Sequence, residues 1–203
     1  GTFVDISGTG TALNLSDDGE VDIPTTVGNA LLAAGTARVG SNGGVRFAGA
    51  GTDLGFTNGA LPNVNAFNSG QALLAFWDDV NTVSGTVGNI YWQEIGDTLI
   101  VQWNNAGFFG QPATESATFQ VQVFKGGPVV AQYLYQNVGG VRAANGASAT
   151  IGYQAGGIAG NDVQWSFNTA SVTNGTVLSI CYTNAIVCTR YCIPVANSTG
   201  SPA

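Results

Sequence analysis

Leu73-Leu74-Ala75-Phe76-Trp77-Asp78-Asp79-Val80 is the stretch whose reading decides the fold. Its unbroken apolar start suits a strand buried on both faces. It stops abruptly at two carboxylates, and the turn-rich segment Asn81-Thr82-Val83-Ser84-Gly85-Thr86 follows. The run therefore places Trp77 in a core. It also puts at least one of Asp78 and Asp79 at the strand's end, capping a turn or holding a cation.

Working outward, the neighbouring segments are also β-prone. Thr36 to Phe47 reads as a hairpin, with Asn42-Gly43 as a type I′ turn because both residues tolerate positive φ. Asn89-Ile90-Tyr91-Trp92-Gln93 and Thr98-Leu99-Ile100-Val101-Gln102-Trp103 form a second hairpin about Gly96-Asp97. Phe119-Gln120-Val121-Gln122-Val123 alternates apolar and amide side chains, the pattern of a strand with one wet face. Further strands are expected at 129–135, 147–154, 163–167 and 177–182. Residues 48 to 70 read as a long surface connection. Asn29 to Gly35 is the one segment that reads as either a short helix or an extended connection. Short strands without an amphipathic helix mean an all-β chain: an antiparallel β-sandwich or jelly roll, in a single domain. The divisions are an N-terminal strand or arm at 1–10, the sandwich at 11–183, and a cysteine-containing tail at 184–203.

Composition narrows the setting. Only 8% of the 203 residues are charged, against about 25% in ordinary soluble domains, so Asn, Gln, Ser and Thr do the solvating. Five basic residues and a net charge of −7 argue against nucleic acid or an anionic membrane as partner. No apolar run is long enough for a membrane-spanning helix. The chain holds no Met, so Gly1 reads as the start of a mature, exported product whose targeting segment has been removed.

An ordered set of pieces resembles a known family. It begins with Val39-Gly40-Ser41-Asn42-Gly43-Gly44-Val45-Arg46-Phe47, Ala60-Leu61-Pro62-Asn63 and Ala75-Phe76-Trp77-Asp78-Asp79. It continues through Asn89-Ile90-Tyr91-Trp92, Leu99-Ile100-Val101-Gln102-Trp103 and Phe119-Gln120-Val121-Gln122-Val123. Asn145 to Gly152 and Trp165-Ser166-Phe167-Asn168 complete it. Together these resemble a β-sandwich module of bacterial secreted and surface proteins, similar to the nidogen-type extracellular domain, over residues 11 to 182. The resemblance implies an extracellular module used in adhesion or matrix assembly, with no catalytic residues to carry over. Asn29 to Gly35 departs from it, being small where relatives tend to carry aromatics.

The candidate chemistry is limited by what is missing. With no His, neither a Ser-His-Asp nor a Cys-His arrangement exists, and His-ligated metal catalysis is excluded. A carboxylate pair among Asp78, Asp79, Glu94 and Glu115 is the remaining enzymatic option. Adjacent strand residues face opposite ways, so Asp78 and Asp79 do not share a cleft if the strand runs through them. The expectation is therefore no enzyme. Ser16-Asp17-Asp18-Gly19-Glu20-Val21-Asp22 reads as a solvated Asx turn or as a cation loop that lacks EF-hand spacing. Asp17, Asp18, Asp78 and Asp79 are the candidate calcium ligands, with no other cofactor expected. Trp92 is the candidate for stacking on a sugar, although aromatics at strand positions more often belong to a core. Cys181, Cys188 and Cys192 are read as disulfide-forming, with the pairing open and one cysteine left over for an inert thiol or another chain. Phe3, Val4 and Ile6 lie on a short β-prone segment that either pairs within its own sandwich or swings out to a neighbour.

These readings lead to a non-enzymatic extracellular structural protein, a subunit or module of a filament or matrix layer. Its partners would be copies of itself or other surface proteins. The alternative is a carbohydrate-binding adhesin domain, calcium-assisted, with glycans as partners.

Overall fold

The structure, a computed structural model, describes residues 1–47, 54–63, 70–82, 88–140, 144–156, 162–182 and 192–195. The chain is all-β and forms two sheets packed face to face. Its strands in chain order are β1 (Thr11–Ala12), β2 (Glu20–Thr25), β3 (Gly35–Gly40), β4 (Gly44–Phe47), β5 (Gln71–Trp77), β6 (Val80–Asn81) and β7 (Asn89–Ile95). They continue as β8 (Thr98–Phe108), β9 (Ser116–Phe124), β10 (Val129–Asn137), β11 (Thr150–Ala155), β12 (Val163–Phe167), β13 (Val177–Tyr182) and β14 (Cys192–Val195). The larger sheet runs β1-β7-β8-β9-β10-β13-β14, with β6 also paired to β8, and the smaller runs β12-β11-β5-β4-β3-β2. Every pairing is antiparallel except β13 with β14.

Alternation along the strands builds the core. Val101 and Trp103 on β8, and Phe119, Val121 and Val123 on β9, face Val39, Val45, Leu73 and Ala75 of the other sheet. Trp103 stacks on Phe119 with ring centroids 4.9 Å apart, and Phe119 stacks on Phe76 at 5.4 Å. Two buried tyrosines tie one sheet to the other's main chain. Tyr133 Oη donates to the Gly152 carbonyl and Tyr135 Oη to that of Ala75, each at 2.7 Å. Burial pushes both phenols well above their ordinary pKa, so they stay as donors.

The apolar run at 73–77 is buried on both faces for two different reasons. Leu73, Ala75 and Phe76 face the inter-sheet core. Ala72, Leu74 and Trp77 form a second cluster on the outer face with Leu54 and Leu61, and Trp77 Nε1 donates to the Gly55 carbonyl at 2.7 Å. The long surface connection expected at 48 to 70 thus includes, at 54–63, a cover for that face. Amide side chains fasten it. Gln154 clamps the Asn63 main chain, accepting from its N–H at 2.7 Å and donating to its carbonyl at 3.3 Å. Gln164 accepts from the Leu61 N–H at 2.9 Å.

The larger sheet is covered in the same manner, and this corrects the wet face expected of β9. Gln102, Gln120, Gln122 and Gln132 project from its outer face yet are all buried. Register places Gln102 opposite Gln120 and Gln122 opposite Gln132. Residues 2–6 cross this face as an extended strap outside any ladder.

One local reading changes and one open alternative closes. The first hairpin exists, but Gly40 pairs with Gly44, so its loop has three residues and only Gly43 takes positive φ, at 85°. A Cβ on Gly43 would lie 1.9 Å from the Phe76 carbonyl oxygen, because the loop packs against the end of β5. Asn29 to Gly35 is an extended connection, not a helix. Asn29 supplies its own turn by accepting from the Leu31 and Leu32 N–H groups at 3.0 Å, the competition that keeps Asn out of helices.

Candidate functional site

Three places on the surface gather the chemistry singled out in the sequence. The first is an open groove of about 440 Å³ where the edge of the larger sheet meets the edge of the smaller one. Trp92 and Glu94 lie on the same side of β7, since the side-chain period of a strand is two. Trp92 is half-buried and packs against the core, and its partner across the ladder is Thr11 of β1. Thr25, Thr26 and Pro24 come from β2 and the turn after it. Gln93 points the other way and accepts from Thr9 Oγ1 at 2.9 Å.

Glu94 is already engaged in this groove. Its Oε1 accepts from Thr25 Oγ1 at 2.6 Å and from the Thr26 N–H at 2.7 Å, and its Oε2 accepts from Thr26 Oγ1 at 2.8 Å. Burial opposes ionisation, but the Thr25, Thr26 and Val27 donors outweigh it and hold the carboxyl below its ordinary pKa. An acid held ionised in this way is poorly suited to donate a proton to a leaving group. Because the folded-state pKa is depressed, Glu94 contributes stability above the ordinary glutamate range and loses it as pH falls through the lowered value. Urea midpoints of the native chain should therefore drop between about pH 5 and pH 3 by more than those of Glu94→Gln. Parallel profiles would show that the Thr25–Thr26 turn does not depend on this carboxylate.

The second place joins Asp17, Asp18 and Asp79, whose carboxylates lie within 4.8 Å of one another. Asp18 takes a positive φ of 55° in the turn before β2 and accepts from Asn42 Nδ2 at 2.8 Å. Asn42 is wholly buried, and it also donates to the Leu54 carbonyl and accepts from the Val80 N–H. It therefore ties the acidic turn to the end of β5. Desolvation, then repulsion from Asp18, pushes the Asp17 pKa up. Two half-exposed phenylalanines, Phe56 and Phe109, rim the cleft, and the Phe109 N–H donates to the Asp79 carbonyl at 3.1 Å. Asp78 is not part of this group. It is buried on the opposite side of the chain, where Ser148 Oγ donates to its Oδ2 at 2.5 Å and the Asp79 N–H to its Oδ1 at 2.8 Å. The two aspartates lie in the turn between β5 and β6, where Asp78 faces Ser148 and only Asp79 joins Asp17 and Asp18. Asp17, Asp18 and Asp79 together offer the hard oxygens calcium takes.

The third place is the strap. Gln120 clamps Val4, accepting from its N–H at 3.3 Å and donating to its carbonyl. Gln122 donates to the Thr2 carbonyl at 3.0 Å, and Gln102 accepts from the Ile6 N–H at 2.9 Å. The amides also bond one another: Gln122 to Gln120 at 3.0 Å and Gln120 to Gln102 at 2.8 Å. Of the three residues expected to self-associate, Ile6 is buried, Phe3 is half-buried and Val4 is exposed. All three lie on their own sandwich. Sequence reasoning missed this arrangement, because Gln102 meets Gln120 only through the register of β8 against β9, which are joined by a long connection.

The cysteines gather at one sheet edge only in part. Cys181 is buried at the end of β13, opposite Val129. Cys192 begins β14, alongside Ser179. Cys188 lies outside the described residues. Other candidate residues serve the fold: Trp77 and Trp103 are fully buried. Among the described residues no helix is long and apolar enough to cross a membrane.

The family described as NIDO related matches residues 1–197. No curated protein and no solved structure matches the chain. The chain belongs to the NIDO-related family, and that membership supports an extracellular domain.

Proposed function

We propose that this NIDO-related chain is a non-enzymatic structural module of an extracellular surface assembly, a filament or a matrix layer, joined to copies of itself. One observation carries the reading: the sheet edge at β12 carries neither charge nor proline. Edge strands are commonly guarded by charge or proline. β2, at the other edge of the smaller sheet, has both, with Pro24 and the Asp22–Arg38 ion pair at 2.6 Å. β12, Val163-Gln164-Trp165-Ser166-Phe167, has neither, and among the described residues β11 is its only partner in the sheet ladder. The mass of the purified chain by light scattering should rise with concentration, and Gln164→Lys should suppress the rise. A monomer throughout the range would overturn the assembly.

A second reading is favoured by the groove at Trp92. Its half-buried indole beside threonine hydroxyls and the Glu94 carboxylate suits the apolar face and hydroxyls of a sugar, and the Asp17–Asp18–Asp79 group would supply calcium assistance. A glycan array separates the readings. Specific binding that Trp92→Ala abolishes, in a chain that stays monomeric, would make the module a carbohydrate-binding adhesin.

A further inference from the structure

We infer that the glutamine face of β8 and β9 is an exchange site that takes residues 1–6 of a second copy of this chain in place of its own strap. This rests on the assembly reading and names the contact that would serve it. Three features of the strap support it.

The strap is recognised mostly through its main chain, with one side-chain hydrogen bond, Gln102 Nε2 donating to Asp5 Oδ1 at 2.9 Å. The Thr2 carbonyl, both Val4 groups and the Ile6 N–H bond to Gln122, Gln120 and Gln102. Apart from Ile6 and the half-buried Phe3, its side chains are exposed. A seat of this kind holds an identical segment equally well whichever copy provides it, the condition under which an element is exchanged between protomers at low cost.

The strap also ends at a pivot. The Thr9 and Gly10 N–H groups both donate to the Ile6 carbonyl, at 3.2 and 2.7 Å, closing a turn. Gly8 within it has open space on the side where a Cβ would lie. Rotation about this turn would lift the strap without displacing β1, which begins at Thr11.

The vacated face, finally, presents amides in place of an apolar patch. Lifting the strap uncovers the carboxamides of Gln102, Gln120, Gln122 and Gln132, which water solvates. The open form is therefore not driven into unselective collapse, and selectivity comes from the aligned donors and acceptors, the Asp5 carboxylate at Gln102 and the buried apolar anchor Ile6. This is main-chain capture of an extended peptide with side chains specifying register, made by side-chain amides instead of a strand edge.

The test uses a fluorescent peptide of residues 1–9 and a chain lacking residues 1–7. The truncated chain should bind the peptide saturably. Gln120→Ala should weaken binding about tenfold through loss of the Val4 clamp. Val4→Ala in the peptide should change little, whereas Ile6→Asp should abolish binding. No binding by a truncated chain with a native circular dichroism spectrum would overturn the exchange site. Equal binding of a scrambled peptide would overturn the second copy as its occupant. If truncation prevents folding, excess peptide is incubated with the full-length chain, where uptake supports exchange and its absence overturns it. Concentration-dependent mass in a chain that ignores the peptide would leave the assembly standing and remove only this contact.

Discussion

Trp77→Ala is expected to lower the free energy of unfolding by about 3–5 kcal/mol, the range for truncating a large buried aromatic. Trp77 is fully buried, but the residues around it, Leu54, Leu61, Ala72 and Leu74, belong to the outer cluster and not to the inter-sheet core. Removing the indole leaves a cavity beneath residues 54–63 and strips the Gly55 carbonyl of its donor. Both losses fall on the cover of the smaller sheet. Chemical denaturation followed by tryptophan fluorescence and circular dichroism measures it. A cost below about 1 kcal/mol would mean that the cover collapses onto the vacancy and that Trp77 is not central to it.

Glu20→Gln should cost a comparable amount through electrostatics. Arg46 projects from the same outer face and is almost completely buried, and its Nη2 meets Glu20 Oε2. Among the described residues, Arg46 Nε and Nη1 find no hydrogen-bond partner, so Glu20 carries the compensation for that charge. Glu20 Oε1 also accepts from the Leu54 N–H. Removing one member of a buried pair leaves an uncompensated charge and costs about 3–5 kcal/mol, whereas replacing both with apolar groups of similar volume is often neutral. Glu20→Gln combined with Arg46→Met should accordingly recover most of the loss. A double variant as unstable as the single one would show that Glu20 acts through Leu54 alone.

What could be read beforehand follows from the range of the interactions. The central strand, both hairpins and the sandwich class rest on side-chain period and turn residues that neighbours in sequence supply, and they stand as expected. The separation of Asp78 from Asp79 does not follow from that period, because β5 ends at Trp77 and both lie in the turn before β6. Nor does the three-residue loop at 41–43, because its form is set by the Phe76 carbonyl pressing on Gly43, more than thirty residues away. The double burial of 73–77 was legible, but its cause was not, since Leu54 and Leu61 reach the outer face only through the path of a connection. Gln120 and Gln122 alternate with apolar residues like any solvated pair. What shields them is the strap, 116 residues earlier for Val4 and Gln120, and no local pattern encodes that contact. The joining of Asp17 and Asp18 to Asp79 likewise depends on Asn42 bridging the first turn to the end of β5.

The amide clamps have a consequence for how such a module ages. Neither Gln120 at Val4 nor Gln154 at Asn63 carries charge, so brine and moderate acidity leave both fastenings nearly untouched, whereas an exposed ion pair would weaken. Their weak point is covalent. Hydrolysis of the Gln120 carboxamide would turn its donor into a second acceptor facing the Val4 carbonyl and place a new negative charge beside Gln102 and Gln122. That change is irreversible, so each amide acts as a slow one-way clock. The fastening that ignores the ionic weather outside the cell is undone by elapsed time.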